Sequence, residues 1–206
     1  MQYSEIKTMF TGILNRRDIT ASQITTFMGL GAQFCSRKLR VPFMETLLPH
    51  TTDGTRNIPV PADFLEIIAI YVDDTTNGSD KLERRDLQTV LRYAATAGTP
   101  KYYCRVGANF VVGPVPAEDQ TIYVNYYATP ATLVDDTDTN WLTENAPTAL
   151  VYSALLYAAD YYLDDRKKAF ADTLAMDLMD VQENYTREEF NNASITPLYP
   201  DQTEAL

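Results

Sequence analysis

The chain has 206 residues, of which 45% are hydrophobic and 22% charged, so it is long enough to bury a core within one large domain. Its formal net charge of -11 disfavours a protein that reads DNA sequence, because affinity for nucleic acids comes largely from Lys and Arg side chains. The sequence shows no signal-peptide pattern and no apolar run long enough for a membrane helix, so we expect no membrane contact.

Apolar residues recurring every three or four positions predict two helices near the start of the chain. The first covers about 2–15, with Ile6 and Phe10 in its apolar stripe. The second covers about 21–39, and Thr20 is in the right place to cap it. Both helices have one apolar face, so we expect them to pack against a common core.

The second helix contains Gly29-Leu30-Gly31, which begins like a dinucleotide-binding motif. Phe34 stands where that motif needs its third glycine, and the segment lies inside a helix rather than in a strand-to-helix turn. We therefore interpret the glycines as sites of close helix packing.

The central part of the chain predicts a small β region. Residues from Pro49 to Pro61 have the composition of a loop, and FLEIIAIYV predicts a strand over about 65–72. A short helix is predicted over about 82–95. Three further strands, forming an antiparallel meander, are predicted over about 101–106, 110–113 and 121–128.

The last third predicts a helical hairpin followed by a tail. An uncharged run favours a buried helix over about 146–164, and periodic apolar residues predict a long helix over about 166–190. Residues 191–206 lack periodicity and are predicted to be a flexible or partner-ordered tail. We expect an α+β fold, mainly a helical bundle with a small antiparallel β meander inserted, in a single domain over residues 1–190.

The residues that most often carry catalysis are few and scattered. His50 is the only histidine and lies in the predicted loop, and Cys35 and Cys104 are too far apart in sequence for a CxxC pair. Asp160 and Asp164 share one helical face and resemble a hydrolytic carboxylate pair, but nearby cations favour ion pairs. We therefore expect no enzymatic activity and no cofactor.

The acidic segment from Asp136 to Asn140 imitates the start of a calcium-binding loop. Trp141 occupies the position where that loop needs glycine, and Pro147 replaces its bidentate glutamate. We predict an acidic turn and no metal site, with weak surface binding of calcium left as the alternative.

The order of elements from residue 102 to 165 carries a family resemblance. A hairpin, a Pro-rich turn, the strand TIYVNYYA, an acidic loop with Asn140-Trp141 and a small-residue helix follow one another, after an upstream IPVPADFLEI segment. About half the chain thus resembles the head-to-tail adaptor, or connector, proteins of tailed bacteriophages. The resemblance implies a structural protein of the virion neck, present in the host cytoplasm during assembly.

The same resemblance implies the partners. Adaptors of this kind form a ring, typically a dodecamer, below the portal protein, and they connect the capsid to tail or nozzle proteins. Genomic DNA passes through as cargo, and the acidity of this chain predicts weak contacts with it. An alternative is another neck or tail-completion protein; a glycan-binding module using Tyr and Trp141 is the alternative from a different class.

Two sets of contact residues follow from this interpretation. The resemblance implies that the tail reaches the portal, which assigns portal contacts to Ile195, Leu198 and Tyr199. Ring closure needs two different complementary surfaces on each subunit. The aromatic residues that we predict to make contacts between subunits are Tyr123, Tyr126, Tyr127 and Trp141.

Overall fold

The structure is a computed structural model that describes residues 1–74, 78–93 and 96–192. A layer of helices packs against one side of two stacked β-sheets. The elements in chain order are α1 (Tyr3–Leu14), α2 (Ala21–Lys38), a 3-10 turn (Pro42–Met44), β1 (Glu45–Asp53), β2 (Asn57–Pro59), β3 (Phe64–Asp74), β4 (Gly78–Lys81), β5 (Glu83–Arg84), α3 (Leu87–Tyr93), β6 (Tyr102–Val106), β7 (Asn109–Gly113), β8 (Glu118–Ala128), α4 (Trp141–Asn145), α5 (Pro147–Tyr162) and α6 (Lys167–Asn192).

The helical layer is built around α5, which packs against α1, α2, α4 and α6. Thr20 caps α2, since its hydroxyl accepts a hydrogen bond from the Gln23 amide at 3.3 Å. At Gly31 the backbones of α2 and α5 come very close, because an added Cβ would lie 2.7 Å from Ser153 Oγ and 2.9 Å from the Ala154 amide nitrogen. A glycine at this position therefore permits the close packing that the sequence predicted.

The β region forms a sandwich of two four-stranded sheets. Sheet A has the order β1-β8-β3-β4, and sheet B has the order β2-β7-β6-β5. Their inner faces share a core in which the Phe64 ring lies 5.5 Å from Phe110 and 5.7 Å from Tyr126. Of the described residues, 45% are helical and 27% lie in strands, so the predicted mainly helical bundle with a small meander is wrong.

The sandwich is larger than predicted because it includes strands with turn-like sequences. β1 and β2 occupy much of the predicted loop from Pro49 to Pro61, and β4 and β5 precede a helix that begins only at Leu87. Proline is tolerated in β1 because this strand lies at the edge of sheet A. Such edge strands need little apolar alternation, so their sequences give a weak signal.

Sheet A packs on sheet B through its inner face and contacts the helical layer at one end. Tyr127 and Leu65, at one end of the sheet, pack against the helical core. Arg40 strengthens this joint, because its guanidinium pairs with Glu66 at 2.8 Å and its main chain exchanges two hydrogen bonds with the Gln182 side chain. The rest of the outer face of sheet A extends beyond the helices.

The corner between α5 and α6 is held by one arginine. Leu163 ends α5 in the left-handed conformation, with φ at 53°, and its side chain is 88% exposed. Arg166 pairs with Asp164 and also donates to the carbonyl oxygens of Ile13 and Leu14 at the end of α1. The α5–α6 turn is thereby tied to α1.

α6 ends at Asn192, so most of the predicted tail lies outside the described residues. None of the described helices combines the length and apolarity that crossing a membrane requires.

Candidate protein-contact surfaces

The part of sheet A beyond the helical layer presents an aromatic and apolar surface. Alternation along β8 turns Ile122, Val124 and Tyr126 inward and Tyr123 and Asn125 outward. Strand pairing aligns the outward residues with neighbours on β1 and β3. The surface, called the Tyr123 face below, consists of Leu47, Pro49, Ala69, Tyr71, Tyr123 and Asn125.

The centre of the Tyr123 face is a pair of stacked tyrosines. The rings of Tyr71 and Tyr123 lie 5.3 Å apart between centroids with an interplanar angle of 21°. Leu47, one row further along the sheet, is 50% exposed. Paired aromatic rings beside an exposed leucine are typical of surfaces that contact other proteins.

The Tyr123 face continues onto the free edge of sheet A. β1 is the terminal strand and pairs only with β8 within the part of the chain that the structure describes. Leu47 of the Tyr123 face lies in this strand and is 50% exposed, whereas Leu48, which pairs with the inward-facing Val124, is 38% exposed on the other side of the strand. The Tyr123 face therefore extends to this edge of the sheet.

A second apolar surface lies on α6. Met176 and Met179 are three residues apart, which puts them on the same side of the helix, and they are 61% and 62% exposed. Flexible thioether side chains adapt to irregular partner surfaces. This pair, called the Met176 face, was missed by the sequence interpretation, which treated the outward sides of this helix as acidic only.

The predicted contact residues lie in different environments. Tyr126 is only 2% exposed and donates a hydrogen bond to Asp63 Oδ1 at 3.0 Å, so it is a core residue of the sandwich. Burial and this carboxylate raise the pKa of Tyr126 to about 12. Tyr127 packs against the helical core with the Arg40 guanidinium 5.8 Å from its ring centroid. Of the three strand tyrosines, Tyr123 is the one on the free face.

Trp141 lies in a groove where the helical layer meets sheet A. The groove has a volume of about 520 Å³ and is called the Trp141 groove below. Its lining residues are Phe43, Met44, Thr46, Asp63, Ala128, Thr129, Pro130, Ala131, Thr132, Thr139, Asn140 and Trp141. The Trp141 Nε1 atom is buried and has no hydrogen-bond acceptor among the described residues.

Phe43 forms an exposed wall of the Trp141 groove. Its side chain is 47% exposed, and its ring packs edge-on against Tyr185 of α6 at 4.7 Å. The run Pro-Phe-Met directly after a helix could have revealed Phe43. A large apolar residue at that position does not belong to the apolar face of any helix. The portal-contact candidates Ile195, Leu198 and Tyr199 lie outside the described residues.

The acidic side chains that suggested chemistry serve the local fold. Asp136 pairs with Lys7, and Asp160 pairs with Lys167. Asp138 accepts hydrogen bonds from the backbone amides of Val134 and Asp135, which hold the pKa of its carboxyl below the usual value. Their contacts are those of turns and ion pairs.

The histidine and the cysteines are also separated from one another. His50 lies half-buried in β1, so its placement in a loop was wrong. Cys35 and Cys104 are both buried free thiols in different cores. Burial raises the pKa of the Cys35 thiol to about 11 and also raises the pKa of Cys104, so neither is activated as a thiolate.

Comparison with known families places the chain among the phage adaptor proteins. It belongs to the SU10 adaptor protein family, whose model matches residues 1–197. This match confirms the recognition made from the sequence and extends it from about half the chain to nearly all of it. No curated protein sequence matches the chain.

Proposed function

We propose that this protein is a head-to-tail adaptor that forms a ring below the portal, joins the capsid to the tail and lets DNA pass, without enzymatic activity. The observation that carries the proposal is the family match over residues 1–197. A phage adaptor is a virion component that contacts other head and tail proteins.

The two exposed apolar surfaces support assembly into a ring. A closed ring of identical subunits needs one surface on each subunit to meet a different surface on the next. The Tyr123 face and the Met176 face differ in shape and chemistry, and they lie on different layers of the molecule. We propose that they form the two sides of the subunit interface, in a dodecamer.

The tail supplies the proposed portal contact. Residues Ile195, Leu198 and Tyr199 are large apolar side chains close together in a segment that is mostly polar or proline-rich. Deletion of residues 191–206 should reduce portal binding while the far-ultraviolet circular dichroism stays close to that of the intact protein. Unchanged portal affinity would remove the tail from this function.

The net charge of -11 supports passage of DNA without strong contacts. Phosphates bind Lys and Arg, so an acidic channel wall would hold DNA weakly. A lumen lined by basic side chains in an assembled ring would contradict this part of the proposal.

The decisive experiment is negative-stain imaging of the protein with and without portal rings, using two single variants. Tyr123→Glu and Met176→Glu each place a charge on one proposed surface, so neither variant should form rings alone. A mixture of the two should stop at dimers, because only one intact pair of surfaces remains between them. Rings from both variants at the wild-type yield would refute these interfaces.

Val106→Glu is the matched control. Val106 is an apolar strand residue with 42% exposure, but it lies on sheet B away from both surfaces. Met176→Glu and Val106→Glu are on the surface and should change the free energy of unfolding by at most about 0.5 kcal/mol, whereas Tyr123→Glu also removes the ring stacked on Tyr71 and should cost about 0.5–1.5 kcal/mol. Copurification with tail tube instead of portal would favour the alternative of a tail-completion protein.

A further inference from the structure

We propose that Pro197-Leu198-Tyr199-Pro200 of the chain's own carboxyl-terminal region binds in the Trp141 groove. Prolines at this spacing favour the polyproline II conformation, which binds grooves lined by aromatic side chains. This contact lies within one chain and is separate from the contacts between proteins that are proposed above.

The groove has the walls that such a segment requires. The exposed Phe43 ring and Trp141 are both among its lining residues, together with the small apolar residues Ala128 and Pro130. Its volume of about 520 Å³ lies within the range of about 300–1,000 Å³ that is usual for ligand pockets. Proline and leucine side chains would fill such a space with apolar contacts.

A residue that lines the groove also has a buried hydrogen-bond donor without an acceptor. Trp141 Nε1 has none among the residues described, and a buried unsatisfied donor costs about 1–3 kcal/mol. A polyproline II segment makes no internal hydrogen bonds, so its carbonyl oxygens are free to accept. Because the nitrogen is covered, binding requires a side-chain adjustment within the groove.

The position of α6 puts the groove within reach of the chain that follows the helix. Tyr185 of α6 packs against Phe43, and Gln182 bonds to the main chain of Arg40 nearby. From Tyr185 to the last residue of α6, Asn192, the helix rises about 10 Å. The five residues from there to Pro197 can span about 17 Å, which is enough to turn back to Phe43.

Groove binding has a consequence for assembly. Leu198 and Tyr199 are also two of the three residues proposed to contact the portal. The same side chains cannot occupy both sites. The groove would therefore hold the tail of a free subunit until the tail leaves it to bind the portal. In any one subunit the tail would then be bound either to the groove or to the portal, but not to both.

The test uses the full-length protein, because Trp141 is its only tryptophan and reports on the groove without labelling. In the double variant Pro197→Ala/Pro200→Ala we expect the indole N–H resonance to shift and acrylamide quenching of the fluorescence to increase. The control variant Gln202→Ala/Thr203→Ala changes the same region outside the motif and should match the wild type. Phe43→Ala should reproduce the effect of the double variant on quenching.

An indole resonance and a quenching constant identical in the wild type and the proline variant would overturn the proposal. At concentrations where sedimentation shows only monomers, a wild-type signal that changes with protein concentration would also overturn it, because the contact is intramolecular. Neither result depends on rings or portal binding, which the imaging experiment measures separately.

Discussion

The helical layer and the β-sandwich use their surfaces differently. α5 is buried on most of its circumference, and its backbone approaches α2 so closely at Gly31 that an added methyl group would collide with it. Each sheet of the sandwich instead buries one face against the other, and part of the outer face of sheet A extends into solvent. The helical layer is therefore sensitive to small changes in volume, whereas sheet A can change outward residues and keep its core.

The largest expected effect tests whether the two regions unfold together. Phe10 and Phe110 are 0% and 1% exposed in the helical core and the sandwich core, so Phe10→Ala and Phe110→Ala should each cost about 3–5 kcal/mol. Trp141 belongs to the helical layer. If the two regions unfold together, the urea transition of its fluorescence should report the full loss of unfolding free energy for both variants. If Phe110→Ala leaves the Trp141 transition unchanged, the sandwich unfolds independently.

A smaller effect distinguishes two glycines of the same helix. Gly31→Ala should destabilise the protein by about 1–3 kcal/mol, because the ideal Cβ lies 2.9 Å from the Ala154 backbone nitrogen. Gly29→Ala is the matched control, since its Cβ would meet no atom within 4 Å. The control should instead stabilise α2 by up to about 1 kcal/mol. Equal urea midpoints for the two variants would refute the close contact.

The smallest effect concerns the corner that ties α5 and α6 to α1. Hydrogen bonds from Arg166 lower the pKa of Asp164 from 3.8 to about 2. A lowered pKa in the folded state stabilises the protein above the unfolded pKa, and this contribution is lost as the pH falls through about 2. Asp164→Asn should therefore cost about 1 kcal/mol at pH 7 and progressively less between pH 4 and pH 2.

Chemical denaturation at several pH values measures this dependence. Asp165→Asn is the control, because the neighbouring Asp165 has no ion pair among the described side chains. A cost for Asp164→Asn that stays constant down to pH 2 would contradict the role of the ionised carboxylate.

The helices could be predicted from the sequence because their periodicity comes from a single buried face. Ile6, Phe10 and Leu14 recur at helical spacing, and all three are fully buried. The sandwich could be predicted only in part. β8 alternates clearly, but β1 contains Pro49 and polar residues that also occur in loops, and only its pairing with β8 makes it a strand.

The contact surfaces were predictable to a similar extent. Outward alternation along β8 predicts an exposed Tyr123 and, by the same rule, a buried Tyr126, so including Tyr126 among the contacts ignored the register. The Trp141 groove could not be predicted, because Phe43, Asp63 and Trp141 are distant in sequence and meet only when sheet A packs on the helices.

The free edge of sheet A also matters before any partner is present. An exposed strand edge is a template on which other chains can add strands, and such addition leads to fibres or precipitates. Pro49 has no N–H to offer and interrupts the edge near its middle, while the net charge of -11 makes free subunits repel one another. The same edge can thus remain exposed at high protein concentration without starting uncontrolled polymerisation.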